Sequence, residues 1–465
     1  MGEIKVEKKE RGSFKGSIGF VLAAAGSAVG LGNIWRFPYL AARDGGGLFL
    51  VIYIILALTF GFALLMTEVA IGRKTKQSPL TAYKHLHERW RWIGFFSCAV
   101  PFLILPYYCA IGGWVIKYFV AFITGHGAEA AEDGYFSSFI SGQYEPTIYM
   151  ILFLALCAII IFKGVSAGIE RSSKILMPIL FLLIIAISIY SLTIKSDTAT
   201  GLDGLKVYLI PNLEGITVKS FFYIVMDALG QLFFSLSVAM GIMIAYGSYV
   251  PDNANLVKSI NQIEFFDTFV AFLAGVMIIP AVYVFMGKDG LSEAGPSLMF
   301  ISLPKVFAQM GPVGNVIGTV FFAMVLFAAL TSAVSILEAV VSSFMDGFGI
   351  SRQKATTIET GFALIIGLAV CFGYNLFYFE YPLPNGTTGQ LLDIFDYVSN
   401  NIMMPIVSIS TCILIGWVLK PKSVIDEATK NNEKFGRKHL YVVMIKFVAP
   451  AFLLVLLLMS LGIIH

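Results

Sequence analysis

Apolar runs of about 20 residues recur along the whole chain, and this constrains its fold more than any other feature. Residues 46–66, 171–193, 312–345 and 441–463 are the clearest of them. As a helix, each is long enough to cross a hydrocarbon core roughly 30 Å thick. In lipid, every backbone N–H and C=O must find its partner inside the protein, so only helices and closed barrels span it. Barrel strands would be about ten residues long with alternating polarity, whereas these runs are longer and apolar throughout. Of 465 residues, 57% are hydrophobic and 13% charged, about half the charged share of an average soluble protein. The chain therefore reads as an all-α membrane protein.

Eleven spans are expected, roughly at 16–42, 46–71, 93–124, 147–163, 171–194, 219–249, 263–287, 312–346, 356–374, 390–418 and 441–463. Their orientation follows from Lys and Arg. Lys5, Lys8, Lys9, Arg11 and Lys15 precede span 1; Arg73, Lys74, Lys76, Lys84, Arg89 and Arg91 follow span 2; Lys420, Lys422, Lys430, Lys434, Arg437 and Lys438 follow span 10. The positive-inside rule then places the N-terminus in the cytoplasm and, with an odd number of spans, the C-terminus outside. A bacterial inner membrane is the expected location, and no cleavable signal pattern is seen. The outer loop 288–311, with Pro296 and Pro304, suits short surface helices capping an outer entrance, or a plain connector. Cys98, Cys109, Cys157, Cys371 and Cys412 all lie in apolar segments with no CxxC, so they read as small buried hydrophobes. The net charge of +3 gives no signal for nucleic acid.

Two spans carry unusual interiors. Span 1 contains Ala25-Gly26-Ser27-Ala28-Val29-Gly30-Leu31-Gly32-Asn33, and span 6 contains Ser235-Leu236-Ser237-Val238-Ala239-Met240-Gly241. Each glycine weakens a helix interior by roughly 1 kcal/mol. Spans 1 and 6 lie five apart, so a five-span repeat would be inverted, and paired interruptions at matching places point to a transporter's binding site. An unwound stretch frees N–H groups that favour an anion and carbonyls that favour a cation. The same glycines would also serve close helix packing.

At these residues the sequence resembles the neurotransmitter:sodium symporter family, in particular its bacterial eleven-span amino-acid transporters. The resemblance rests on Gly26-Ser27-Ala28-Val29-Gly30-Leu31-Gly32-Asn33-Ile34-Trp35-Arg36-Phe37-Pro38 followed by Gly45-Gly46-Gly47. It rests also on Gly230-Gln231-Leu232-Phe233-Phe234-Ser235-Leu236-Ser237, with Gly168-Ile169-Glu170-Arg171 and Leu330-Thr331-Ser332 in support. It implies an inverted five-helix repeat with unwound spans 1 and 6. Residues 1–15 would form a cytoplasmic gate segment, 16–194 the first repeat, 195–218 an outer loop, 219–418 the second repeat, and 419–465 a cytoplasmic loop with the eleventh helix.

The resemblance implies an amino acid bound between spans 1, 3, 6 and 8. Its carboxylate would meet N–H groups near Leu31 and Gly32, the Tyr108 hydroxyl and a first sodium ion. Its ammonium would meet carbonyls near Ala28, Phe234 and Ser235 and the Ser237 hydroxyl. Its side chain would lie among Ile104, Phe234, Met240, Ser332 and Ile336. Gly30 stands where monoamine-carrying relatives have aspartate, so the substrate must bring its own carboxylate. Met240, flexible and polarizable, replaces a phenylalanine of leucine-preferring relatives and implies wide specificity reaching aromatic side chains.

Two sodium ions are implied. The first would use the Ala28 carbonyl, Asn33, Ser235 and Asp267; the second, the carbonyls of Gly26, Val29 and Ala328 with the hydroxyls of Thr331 and Ser332. Thr331 and Ser332 would otherwise bond their own preceding carbonyls. Arg36 and Asp396 resemble the outer gate pair, and Arg11, Phe14, Ser248, Tyr249 and Asp346 the inner gate. Glu68 would accept hydrogen bonds from the broken helices, and Gly168 with Pro178 would let span 5 unwind. The function implied is sodium-coupled uptake of hydrophobic or aromatic L-amino acids by alternating access, not enzymatic catalysis. A receptor that binds without moving its ligand, and a proton-coupled exchanger, are the rivals.

Asp267 is a departure, because the family usually has asparagine there and chloride-dependent relatives have serine where this chain has Ala271. A carboxylate inside a span is costly and usually functional. A fixed negative charge beside the first sodium ion predicts uptake without chloride: replacing chloride by gluconate should leave uptake within about twofold, since no charge compensation is lost. Loss of uptake in gluconate overturns this.

Overall fold

The computed structural model describes residues 12–293 and 295–464. Among these, nine helices are long and apolar enough to cross a membrane. A tenth crossing is a bent pair, Ser17–Ala28 and Gly32–Arg43, turning by 52° at the break. The segment expected as span 6 is two helices, Val218–Ser235 and Ile242–Ser248, separated by Leu236–Gly241. The expected count of eleven is reached when that interrupted pair is taken as one crossing. The architecture is all-α; its strand content among the described residues is a hairpin of Tyr381–Pro382 against Thr388–Gly389, with Tyr381 opposite Gly389.

Several helices begin earlier than hydropathy suggested. Span 7 runs Leu256–Gly290 and span 5 Val165–Thr193, against expected starts at 263 and 171. The added turns carry polar residues such as Asn261 and Glu170, which a hydropathy window excludes but a helix end tolerates by pairing them. Asn255 starts span 7 by accepting from Lys258 N, an ordinary N-cap.

Burial separates centre from periphery. In spans 3 and 8, 83% and 72% of the most apolar 18-residue window is buried by protein; in spans 5 and 11 the shares are 33% and 22%. Spans 3 and 8 pack along each other. The broken spans lie inside: every residue of Ile242–Ser248 is buried, as are nine of the twelve in Ser17–Ala28. Large apolar side chains at the periphery, such as Ile55, Phe95, Leu182, Phe265 and Ile365, point outward, as lipid-facing residues do.

The short helices of loop 288–311 bury one face and expose the other: Leu298, Met299, Phe300, Leu303, Val306 and Phe307 are buried, whereas Ile301, Ala308 and Gln309 are exposed. Phe300 packs on Trp114, Tyr118, Phe136 and Phe322, and Tyr118 donates to the Phe300 carbonyl at 2.7 Å. Cohesion among these aromatic rings outweighs the loop's polarity and draws it onto the bundle.

At the Lys/Arg-rich end, Arg73 is buried at the end of span 2. It donates to Glu427 Oε1 at 2.7 Å, to the Ala254 carbonyl at 2.7 Å and to the Glu427 carbonyl. One guanidinium thereby fixes the segments after spans 6 and 10 to span 2. One residue earlier, Gly72 lets span 2 meet the second half of span 6: a Cβ there would lie 2.0 Å from the Ile244 carbonyl oxygen. Gly72→Ala should therefore cost about 1–3 kcal/mol. A lowered midpoint of thermal unfolding in detergent would check it, and an unchanged midpoint would show that the helices can separate freely.

Candidate functional site

The breaks in spans 1 and 6 face each other in the middle of the bundle. Span 1 leaves the helix at Val29 (φ −75°, ψ 88°) and resumes at Leu31. Span 6 stops at Ser235, and Ser237, Ala239 and Gly241 all take positive φ, at 53°, 65° and 71°. Positive φ is uncommon for serine and alanine and persists only where surroundings hold it. Here those surroundings are identifiable. Glu68 Oε1 accepts from Ala239 N at 2.6 Å, the Ser237 hydroxyl reaches the Ser27 carbonyl at 3.0 Å, and Gln231 donates to the Gly32 carbonyl at 3.1 Å.

A small cavity lies between the breaks. Ala28, Gly30, Leu31, Gly32, Ile104, Tyr108, Phe234, Ser235, Ser237, Met240, Ser332 and Ile336, all singled out in the sequence, line it together with Ser27 and Asn33. It measures about 30 Å³, room for about one water, so a larger ligand needs its walls to yield. No charged side chain lines it. The buried Tyr108 hydroxyl has no hydrogen-bond partner among the described residues. Leu31 and Gly32 open a helical segment, whose leading N–H groups lack partners within the helix. Gly30 permits the close approach of span 8, since a Cβ there would lie 2.9 Å from the Ser332 hydroxyl.

Beside the cavity, oxygens converge twice. Asp267 Oδ1 accepts from Ser235 Oγ at 2.6 Å and from Asn33 Nδ2 at 2.8 Å, and Ser235 Oγ lies 3.3 Å from Asn33 Oδ1. Ala28 ends the helix next to them. In the second group, Ser332 Oγ stands 3.4 Å from the Gly26 carbonyl and 3.5 Å from that of Val29, and donates to Ser27 O at 3.0 Å. Thr331 Oγ1 bonds its own chain at Phe327 and Ala328, at 3.0 and 3.1 Å. Among the described residues no three His, Cys, Asp or Glu side chains form a metal cluster. The converging donors are carbonyls, hydroxyls, one amide and one carboxylate, an oxygen set suited to a hard cation.

A vestibule of about 280 Å³ opens above the cavity, lined by Trp35, Arg36, Tyr107, Asp396 and Pro296 among others. Leu31, Tyr108 and Phe234 line both spaces, so they are floor to one and roof to the other. Arg36 and Asp396 face this vestibule without forming an ion pair within 4 Å. Asp396 Oδ1 instead accepts from Tyr107 at 3.0 Å and Asn400 at 2.6 Å, and Asp227 shares the field of Arg36. The expected pair is thus open here.

The opposite end is shut. Phe14 is buried, its N–H donates to the Tyr249 carbonyl at 3.1 Å, and its ring meets Tyr246 and Tyr249 edge-on. Ser248 is buried beside them, and Asp346 accepts from Ser78 N at 2.7 Å. Arg11 lies outside the described residues. Gly168 falls within the loosely wound turn Val165–Glu170, and Pro178 sits inside the helix Arg171–Thr193.

Sequence reading missed several participants. Tyr53 reaches Asp267 Oδ2 at 3.4 Å; nothing in its apolar run marks it. Tyr107 and Asn400 hold Asp396. Glu338, fully buried in span 8, takes both forks of Arg352 at 2.6 and 2.8 Å and the Tyr249 hydroxyl at 2.6 Å. A carboxylate inside a span was signal enough to find that one.

The sequence pattern of the Sodium:neurotransmitter symporter family matches residues 11–130 and 136–464. An uncharacterized sodium-dependent transporter of Bacillus subtilis is 34% identical over 453 residues, covering 96% of this chain and 97% of its own. The sodium- and chloride-dependent GABA transporter 2 of Homo sapiens is 26% identical over 468 residues, covering 90% of this chain and 74% of its own. The crystal structure of MhsT in complex with L-phenylalanine superposes with a TM-score of 0.84 at 32% identity, covering 97% of this chain and all of that one.

The Glu68 contact gives a prediction. Glu68→Ala leaves the Ala239 N–H buried without an acceptor, a loss of about 1–3 kcal/mol, whereas Glu68→Gln keeps an acceptor oxygen. Thermal unfolding in detergent should rank wild type above Glu68→Gln above Glu68→Ala. Equal midpoints would mean that the break in span 6 stands without this bond.

Proposed function

The chain belongs to the sodium:neurotransmitter symporter family and is a sodium-dependent symporter of the membrane, and from that premise we propose that it imports hydrophobic and aromatic L-amino acids without chloride. The observation that carries this reading is the cavity itself: backbone of the two breaks, the hydroxyls of Tyr108, Ser237 and Ser332, and the apolar side chains of Ile104, Phe234, Met240 and Ile336 line it, with no charged side chain among them. An α-amino acid supplies both missing charges. Its carboxylate meets the leading N–H groups at Leu31 and Gly32 and the Tyr108 hydroxyl; its ammonium meets carbonyls at Ala28 and Phe234 and the Ser237 hydroxyl. Met240 adapts to side chains of different shape. The L-phenylalanine bound by MhsT supports this substrate class.

Two sodium ions occupy the oxygen groups in this reading, one at Ala28, Asn33, Ser235 and Asp267, the other at Gly26, Val29, Ala328, Thr331 and Ser332. The substrate carboxylate completes the first, which couples ion to cargo. Asp267 supplies the negative charge that chloride would otherwise bring. The N-terminus and the Phe14 cluster face the cytoplasm, following the Lys/Arg-rich loops. Residues 16–194 and 219–418 form the two inverted repeats. Spans 1, 2, 6 and 7 rock against spans 3, 4, 8 and 9. Ligand closes Tyr108 and Phe234 and brings Arg36 towards Asp396, after which the Phe14 cluster parts.

Uptake of tritiated L-tryptophan, L-tyrosine and L-leucine into proteoliposomes tests this, with a sodium gradient and with potassium alone. Accumulation that requires sodium is expected for at least the aromatic pair, at about tenfold or more over potassium, as a coupling of about 1.4 kcal/mol or more requires. Binding without accumulation would instead make the protein a receptor, and accumulation indifferent to sodium would leave the oxygen groups without a coupling role.

A further inference from the structure

The proposed cycle requires the Lys/Arg-rich end of span 1 to release its neighbours, and one contact there has a distinctive build. The helix Ser17–Ala28 starts after Gly16, which has no side chain to cap it. Its leading N–H groups lack partners within the helix, and its end carries partial positive charge. Other helices of the chain cap themselves, as Thr217 does through Ser220 N. For span 1 the anion comes from a different span.

That anion is Glu170, 1% exposed. Its Oε2 accepts from Lys15 N at 2.9 Å, and its Oε1 accepts from Lys174 Nζ at 2.6 Å. The carboxylate fills the space beside Gly19, where a Cβ would lie 2.4 Å from Oε1. Glu170 also ends the loosely wound turn Val165–Glu170, which is entered through Gly164 at φ +84°. The start of that turn touches the same segment of span 1: a Cβ at Gly12 would lie 3.3 Å from Val165 Cγ2. Residues 12–19 are therefore held twice, by span 6 through Phe14 and by span 5 through Glu170 and Val165.

We propose that Glu170 is a positioning residue that latches span 1 to span 5 and sets how readily the cytoplasmic path opens. It touches neither the cavity nor the two oxygen groups. A charged carboxylate makes stronger hydrogen bonds than an amide and complements the helix end. When the turn at 165–170 rearranges, the carboxylate leaves Lys15 and Gly19 together, so loosening of span 5 and release of span 1 become one event. This rests on the alternating-access reading above and adds the residue that ties span 1, which moves in that cycle, to the loosely wound turn of span 5.

The test uses the full chain in membrane vesicles with a reporter thiol, Ser335→Cys, placed behind the Phe14 and Tyr246 rings. A water-soluble maleimide is added from the Lys/Arg-rich side, and protein without the reporter serves as blank. Sodium should slow labelling of the reporter protein. In sodium, Glu170→Gln should label about tenfold faster. Gly19→Ala, which keeps the charge but displaces the carboxylate, should label faster as well. Retained L-phenylalanine binding in either variant shows that it is folded, and Gly19→Ala decides should Glu170→Gln fail to fold. Labelling of both folded variants at the parent rate overturns the latch. Parent labelling that ignores both sodium and amino acid overturns the alternating-access cycle, and the latch falls with it.

Discussion

Everything at the centre of this protein depends on backbone that is not helical in the middle of a bundle where water is scarce. Each unpaired N–H or C=O there costs several kcal/mol, so the breaks in spans 1 and 6 exist only because something answers them. Glu68 answers Ala239, Gln231 answers Gly32, and the Ser237 hydroxyl answers Ser27. Groups left over, such as the N–H groups at Leu31 and Gly32 and the carbonyls at Gly26 and Val29, supply the polarity that ligand and ions use in the proposed function. The site is in that sense the remainder of an incomplete hydrogen-bond ladder.

The fold was readable because lipid leaves few choices. Once the apolar runs exceed barrel-strand length, helices are the answer, and nine of the expected spans agree with observed helices apart from their ends, while spans 1 and 6 are each divided in two. The ends were misplaced for a definable reason. Glu170 and Asn261 lower the local hydropathy, yet each is paired: Asn261 with Arg437, Glu170 with Lys174. A composition window registers charge and cannot register a partner distant in sequence. What the buried face of the loop at 288–311 packs against was not legible for the same reason, because Trp114, Phe136 and Phe322 come from three other segments.

The cavity was legible to an unusual degree, since glycines in the middle of a span mark a break and a motif marks its lining. What escaped was whatever contributes through ordinary-looking positions. Tyr53 is one aromatic residue in an apolar run, and its approach to Asp267 depends on how spans 2 and 7 cross. Tyr107 adjoins the recognised Tyr108 but points to the vestibule, because neighbours on a helix lie about 100° apart. Arg36 and Asp396 show the converse: their identity was legible, and their separation follows from Tyr107 and Asn400 holding the carboxylate.

The shared partition of Leu31, Tyr108 and Phe234 has a pharmacological corollary. One face of these side chains belongs to the cavity and the other to the vestibule. A molecule whose head sits in the cavity while its tail protrudes into the vestibule holds the partition ajar. In the proposed function such a molecule would compete with cargo for the same polar groups yet arrest the carrier, so that substrate and blocker would differ there by length rather than by chemical kind.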